Sequence, residues 1–280
     1  MDKDTKYANQ LTLFNPSIEG EKKIFVVWAW GIWSMSIYGL ALLWFRNITV
    51  VDFDHVQLHN TSTQFYKVWE ITEAIISDVE LLKDWEWDKV DVSEMEWFIR
   101  SDEKHRIKID DDYVEWSLYY EDKNWTFYII NNSDLGKSKV EALRDTILQF
   151  TGIEITAINW LYEPSQAEWQ DLIIVWVDNM AARKEVIETS TPTIWFIEGR
   201  MKWEIFYLFP FTAIEKMIYF SKHWLSDDKV SQVLCTEKST SYNTLAIWSI
   251  VTKLAKDMIQ WKDYAEEIWV DLFNLYFDLR

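Results

Sequence analysis

The chain has 280 residues, with 28 basic against 46 acidic side chains and a net charge of −18. No run of Lys and Arg offsets that charge, which argues against a nucleic-acid partner. With 49% hydrophobic and 26% charged residues, a disordered or collagen-like chain is excluded as well.

From the N-terminus, MDKDTKYANQ is polar and lacks the apolar core of a signal peptide. IFVV (24–27) is β-branched and aromatic and predicts a buried strand. WAWGIW follows, then a helical pattern, SMSIYGLALLWF, then a second buried strand, NITVVDFD (47–54), ending in acids. Together they have the size of one βαβ unit. By length alone the uncharged stretch from Ile24 to Phe45 could also span a bilayer. The acid-ended strand after it is a poor membrane flank, and no membrane association is expected.

Residues 67–131 read as an inserted subdomain. Tyr113 to Ile130 predicts a β-hairpin turning near Asn124 and Trp125. SDLGKSKVEALRDTILQF (133–150) is an amphipathic helix, with Ser133 or Asp134 as its N-cap. IEITAIN (153–159) and DLIIVWV (171–177) are strands, the latter ending at Asp178, and 213–223 and 243–260 are helices. Strands alternating with helices predict an α/β fold: a Rossmann-like, mostly parallel sheet covered on both faces. The expected domains are 1–66 with 132–280, interrupted by the β-containing 67–131.

The composition carries one imbalance. There are 19 Trp and 6 Gly, where average usage gives roughly 20 Gly at this length. A nucleotide-binding unit needs G-x-G-x-x-G between its first strand and helix, for the tight turn and for close approach to phosphate. That spacing here carries Trp28, Trp30 and Trp33, with Gly31 between. Asn124-Trp125, Asn159-Trp160 and Asp84-Trp85 are turn-like pairs only if the second member is glycine. The codon UGA is read as Trp in some genetic codes and as Gly in others. A gene that uses UGA for glycine, translated with UGA as tryptophan, would give this pattern. Many of the tryptophans are therefore expected to be glycine in the native protein. A truly Trp-rich chain with a blocked loop is the alternative.

VVWAWGIWSMSIYGLALLWFRNITVVDFDHVQLHN (26–60), DLGKSKVEAL (134–143), VDNMAAR (177–183) and GRMKWEIF (199–206), in this order, resemble the ThiF/MoeB family of ubiquitin-like-protein-activating adenylyltransferases. The resemblance implies an ATP-dependent enzyme that activates the C-terminal carboxylate of a small ubiquitin-like or sulfur-carrier protein, commonly as a homodimer. It implies nucleotide contacts at Trp28, Trp30, Gly31 and Trp33, ribose binding by Asp52, and phosphate contacts near Asn60 and Gln64. Lys139 of the G-x-x-K element would neutralise phosphate charge. Asp178 would bind Mg²⁺, with Asn179 and Arg183 completing D-N-x-x-x-R, Arg183 as a helix anchor.

Three departures stand out. Thr63-Gln64 replaces the family's Arg-Gln. KYANQL holds no arginine finger. The CxxC pairs of zinc-binding members are absent, and the lone cysteine, Cys235, rules out a disulfide and a Cys-rich zinc site. The resemblance allows Cys235 as a thioester acceptor, whereas the common state of a free cysteine is a small buried apolar residue, and no His lies near it in sequence to lower its pKa. A cytoplasmic location fits one cysteine. Two other classes remain open from sequence: an NAD-dependent oxidoreductase, and an interaction module of the same fold that has lost nucleotide binding.

Overall fold

The computed structural model describes residues 10–27, 33–57, 60, 63–66, 134, 136–190, 193–226 and 241–280, and the backbone of seven strands between 70 and 131. The chain divides into two compact units, Met1–Tyr66 with Gly136–Arg280, and Lys67–Leu135.

The larger unit is built on one eight-stranded sheet. Its strands are β1 (Lys23–Val27), β2 (Asn47–Val51), β10 (Thr156–Ile158), β11 (Leu172–Val175), β12 (Trp195–Lys202), β13 (Ile205–Thr212), β14 (Ile268–Asp271) and β15 (Tyr276–Leu279). The order across the sheet is β10-β2-β1-β11-β12-β13-β14-β15. From β10 to β12 every pairing is parallel, and from β12 to β15 every pairing is antiparallel. The chain runs outward from β1 through β2 to β10, then returns to place β11 on the other side of β1. The strand order therefore reverses between β1 and β11, which is where open α/β sheets bind ligands, outside the carboxyl ends of the strands.

Five helices complete the unit: α1 (Trp33–Leu42), α2 (Lys139–Thr151), α3 (Met180–Thr189), α4 (Lys216–His223) and α5 (Ser241–Ile259). Phe25, Val27, Ile173 and Val175 pack in one buried cluster with Val186 and Ile187 of α3 and Tyr219 of α4. Their neighbours Ile24, Val26, Leu172 and Ile174 point to the other face and are equally buried, so helices cover both faces. This is why β1 and β11 read as unbroken apolar runs rather than alternating ones. Helix α1 crosses α5 closely at Gly39, where a Cβ would lie 1.7 Å from Trp248 Nε1.

The described residues of 24–45 thus hold a strand and a helix, and no helix among the described residues is long and apolar enough to cross a membrane. The helix predicted from 133 begins at Lys139, with Ser138 as N-cap. The preceding residues are committed elsewhere: Gly136 N–H donates to Val56 O, and Val56 N–H to Lys137 O. Strands β12 to β15 lie outside the elements predicted from sequence.

In the smaller unit, β3 (Glu70–Ile75), β9 (Thr126–Asn131), β8 (Leu118–Glu121) and β5 (Phe98–Ile99) form one antiparallel sheet. A second contains β4 (Val79–Leu81), β6 (His105–Ile109) and β7 (Asp112–Trp116). The predicted hairpin is present as β8 and β9, joined across 122–125. Its expected start at Tyr113 belongs instead to β7, which pairs with β6.

Candidate functional site

Three strand ends meet at the carboxyl edge of the parallel strands. Beyond β1 lies the 28–32 segment, with Trp28, Trp30 and Gly31, which is outside the described residues. Trp33 is the first residue of α1.

Beyond β2 comes Asp52, fully buried. Its main-chain N–H donates to Ile158 O, and its Oδ1 accepts the Asp54 N–H at 2.8 Å. The chain after Asp52 is stitched to the start of α2. His55 bridges Ser138, and Lys139 N–H donates to Asp54 O at 2.9 Å. This brings Lys139 Nζ to 3.0 Å from Asp54 Oδ2. Lys139 is only 4% exposed, and a buried ammonium needs such a partner. Asp54 was not singled out from sequence; its signal was its place in the acid run of VVDFD, two residues after Asp52.

Asn60 is buried and organises its own loop. Its Oδ1 accepts the Gln57 N–H at 2.8 Å, and its carbonyl accepts from Thr63 and Gln64 N–H. The loop is tied to α5 through Thr244 Oγ1, which donates to Thr63 O at 3.1 Å. Gln64 presents a buried Oε1 that has no hydrogen-bond partner among the described residues. An orphaned buried acceptor is costly, so Gln64 carries hydrogen-bonding capacity that the described protein groups leave unused.

Beyond β11 stands Asp178, exposed. Asn179 caps α3: its Oδ1 accepts the Ala182 N–H at 2.7 Å. An N-cap acceptor satisfies one of the free amides of a helix start. That occupies the Asn179 oxygen and leaves its Nδ2 facing Asp178 Oδ1 at 3.4 Å. Arg183, also buried, donates to Gly199 O and Val177 O and pairs with Glu198. It fixes the main chain one residue before Asp178.

Glu198, absent from the sequence-based candidates, is fully buried in mid-strand β12. Besides Arg183 it meets Arg200 Nε at 3.1 Å and the Tyr219 hydroxyl, which donates to Oε2 at 3.0 Å. Burial pushes the Tyr219 hydroxyl above its ordinary pKa, so it stays protonated and able to donate. Cys235 lies outside the described residues.

Across 52–64, 136–139 and 176–183 the edge offers a buried acid, a paired lysine, an orphaned amide oxygen and an exposed acid. Among the described residues no group of three or more His, Cys, Asp or Glu could hold a metal ion by itself. A single exposed carboxylate suits Mg²⁺, which is usually held by one or two carboxylates together with substrate phosphates.

The arrangement is that of a doubly wound, Rossmann-like α/β protein. No protein-family model and no curated protein matches the chain. Solved structures match across its length. Escherichia coli MccB with AMPCPP and MccA aligns with a TM-score of 0.58 at 9% identity, covering 100% of this chain and 72% of that one. PaaA aligns at 0.60 and 12% identity, covering 100% and 74%. MccB with ATP aligns at 0.58 and 10% identity, covering 99% and 72%. At these identities the likeness is one of fold, and the protein has the α/β fold of MccB and PaaA.

Proposed function

We propose that the protein is an ATP-dependent adenylyltransferase of the ThiF/MoeB kind, activating the C-terminal carboxylate of a small protein or peptide. The observation that carries this reading is the strand reversal between β1 and β11, with Asp52, Asp178 and the 28–33 segment at the carboxyl ends of β2, β11 and β1. The MccB structures with ATP and with MccA support both halves of it, nucleotide and peptide partner.

In this reading the Asp52 carboxylate takes the ribose hydroxyls. The main-chain amides at the start of α1 receive the phosphates, as helix N-termini do. The resemblance implies glycine at 28, 30 and 33, where the family's fingerprint admits no side chain beside the phosphates. Gln64 Oε1 offers an unused acceptor beside the Asn60 loop. Lys139, held by Asp54, supplies positive charge as the phosphates part. Asp178 would hold Mg²⁺, whose chemistry is to neutralise the phosphate oxygens. The partner's carboxylate oxygen bonds to the α-phosphorus while the bond to the bridging oxygen breaks, giving an acyl adenylate and pyrophosphate. Catalysis is then positioning and charge stabilisation. Whether the partner is ubiquitin-like or a sulfur carrier, whether Cys235 accepts the acyl group, and a homodimeric, cytoplasmic state belong to the same proposal by resemblance.

The test is pyrophosphate release from MgATP on adding a small protein encoded beside this gene. Release with the free C-terminus, and none with the C-terminal amide, is expected. Equal release with both would overturn the proposal. Thr63 at the family's arginine position and the literal tryptophans favour one second reading, an interaction module that binds no nucleotide. A saturable ATP titration would remove it.

A further inference from the structure

Among the described non-glycine residues, five have positive φ: Trp44 (76°), Trp169 (59°), Trp203 (55°), Trp261 (55°) and Leu275 (54°). Four of the five are tryptophan, a bulky residue for which this region is an outlier. Only glycine visits it without a Cβ penalty.

Each site can be read in detail. At the end of α1, Trp44 N–H donates to Ala41 O at 2.9 Å and Phe45 N–H to Leu40 O at 3.1 Å. Those two bonds define the Schellman motif, and Trp44 occupies the left-handed position where glycine is the usual residue. The end of α5 repeats it: Trp261 N–H donates to Met258 O and Lys262 N–H to Asp257 O, both at 3.0 Å. Helix α2 offers the internal comparison, since it too ends in a left-handed residue, and there the residue is Gly152, φ 75°. Between β12 and β13, Lys202 pairs with Ile205, leaving a two-residue turn, Trp203-Glu204. Positive φ at the first of the two alone is the pattern of the II′ hairpin turn, whose first central residue is glycine. Trp169 lies in the exposed connection before β11. Tryptophan is thus found where two helices stop, where a hairpin turns and where a loop reverses.

We infer that the residue made in the cell at positions 44, 169, 203 and 261 is glycine, specified by a codon shared with positions 28, 30 and 33. The inference stands on backbone geometry and holds whether or not the protein binds ATP.

The test is tandem mass spectrometry of the chain purified from the cells that encode it, on peptides spanning 28–33, 44, 169, 203 and 261. Glycine at all of these positions is expected, with the tryptophan peptides lost. Tryptophan at the four positive-φ positions would overturn the inference. Two variants of the chain as written give an independent readout, because Trp169 and Trp203 are 70% and 55% exposed. Trp169→Gly and Trp203→Gly should each raise the melting temperature by roughly 2–4 °C. A fall in both would contradict it. Neither readout involves nucleotide, so failure of the adenylyltransferase proposal would leave these results intact.

Discussion

Two charged clusters flank β11, and they differ in how their acids are held. The buried Glu198 carboxylate is met three times over, by Arg183, Arg200 and Tyr219. Around the carboxyl edge the balance is open. Lys139 answers Asp54, yet Asp178 faces solvent and Gln64 keeps an orphaned acceptor. A buried acid met by three partners holds elements in place. A cluster with capacity to spare is suited to bind something. The two are joined through Arg183, whose bond to Val177 O fixes the strand end that carries Asp178.

Substitutions can break this contrast. Glu198→Ala strips a buried partner from Arg183 and should destabilise by about 3–5 kcal/mol, the range for a broken buried pair. A chemical-denaturation midpoint measures it. Adding Arg183→Met to Glu198→Met should recover part of the loss, since the more deeply buried of the two arginines on Glu198 then carries no stranded charge; a fully additive double mutant would contradict the pairing. Lys139→Met should cost less, about 1–2 kcal/mol, because Asp54 retains solvent on its side chain. It should also weaken ATP binding, which Glu198 variants that fold should not do. Asp178→Asn should leave the melting temperature unchanged and lower Mg²⁺-dependent ATP affinity by about tenfold, or 1.4 kcal/mol. An equal loss with and without Mg²⁺ would remove Asp178 from the metal role.

The smallest effect concerns pH. Burial lowers the His223 pKa, the ring lying against Phe209 with centroids 4.5 Å apart. The neutral form is favoured in the folded state, so the unfolded chain binds more protons below the ordinary value near 6.5. Stability should therefore be unaffected above that pH and decline as pH falls from it through the lower folded value. His223→Phe should flatten the curve in that window relative to the parent, and an unchanged difference curve would show that His223 contributes nothing.

The strands β1, β2 and β11 were legible because strands buried on both faces read as apolar runs. Asp52 and Asp178 follow β2 and β11 at the carboxyl edge of the sheet. The start of α2 was misread because local capping signals at 133 and 134 say nothing of the long-range bonds between 136–137 and Val56. The hairpin of β12 and β13 escaped because its turn reads Trp203-Glu204, without the glycine that announces such a turn. Glu198 was invisible for a related reason. A lone acid in a strand shows its partners only once Arg183 and Tyr219 arrive from α3 and α4.

The central claim, that the edge at the β1–β11 reversal is a nucleotide site, meets its most direct test in one calorimetric titration. MgATP is added to the full chain carrying Trp28→Gly, Trp30→Gly and Trp33→Gly. Saturable binding that depends on Mg²⁺ and is lost on adding Asp52→Ala is predicted. A folded protein with no saturable binding would contradict it.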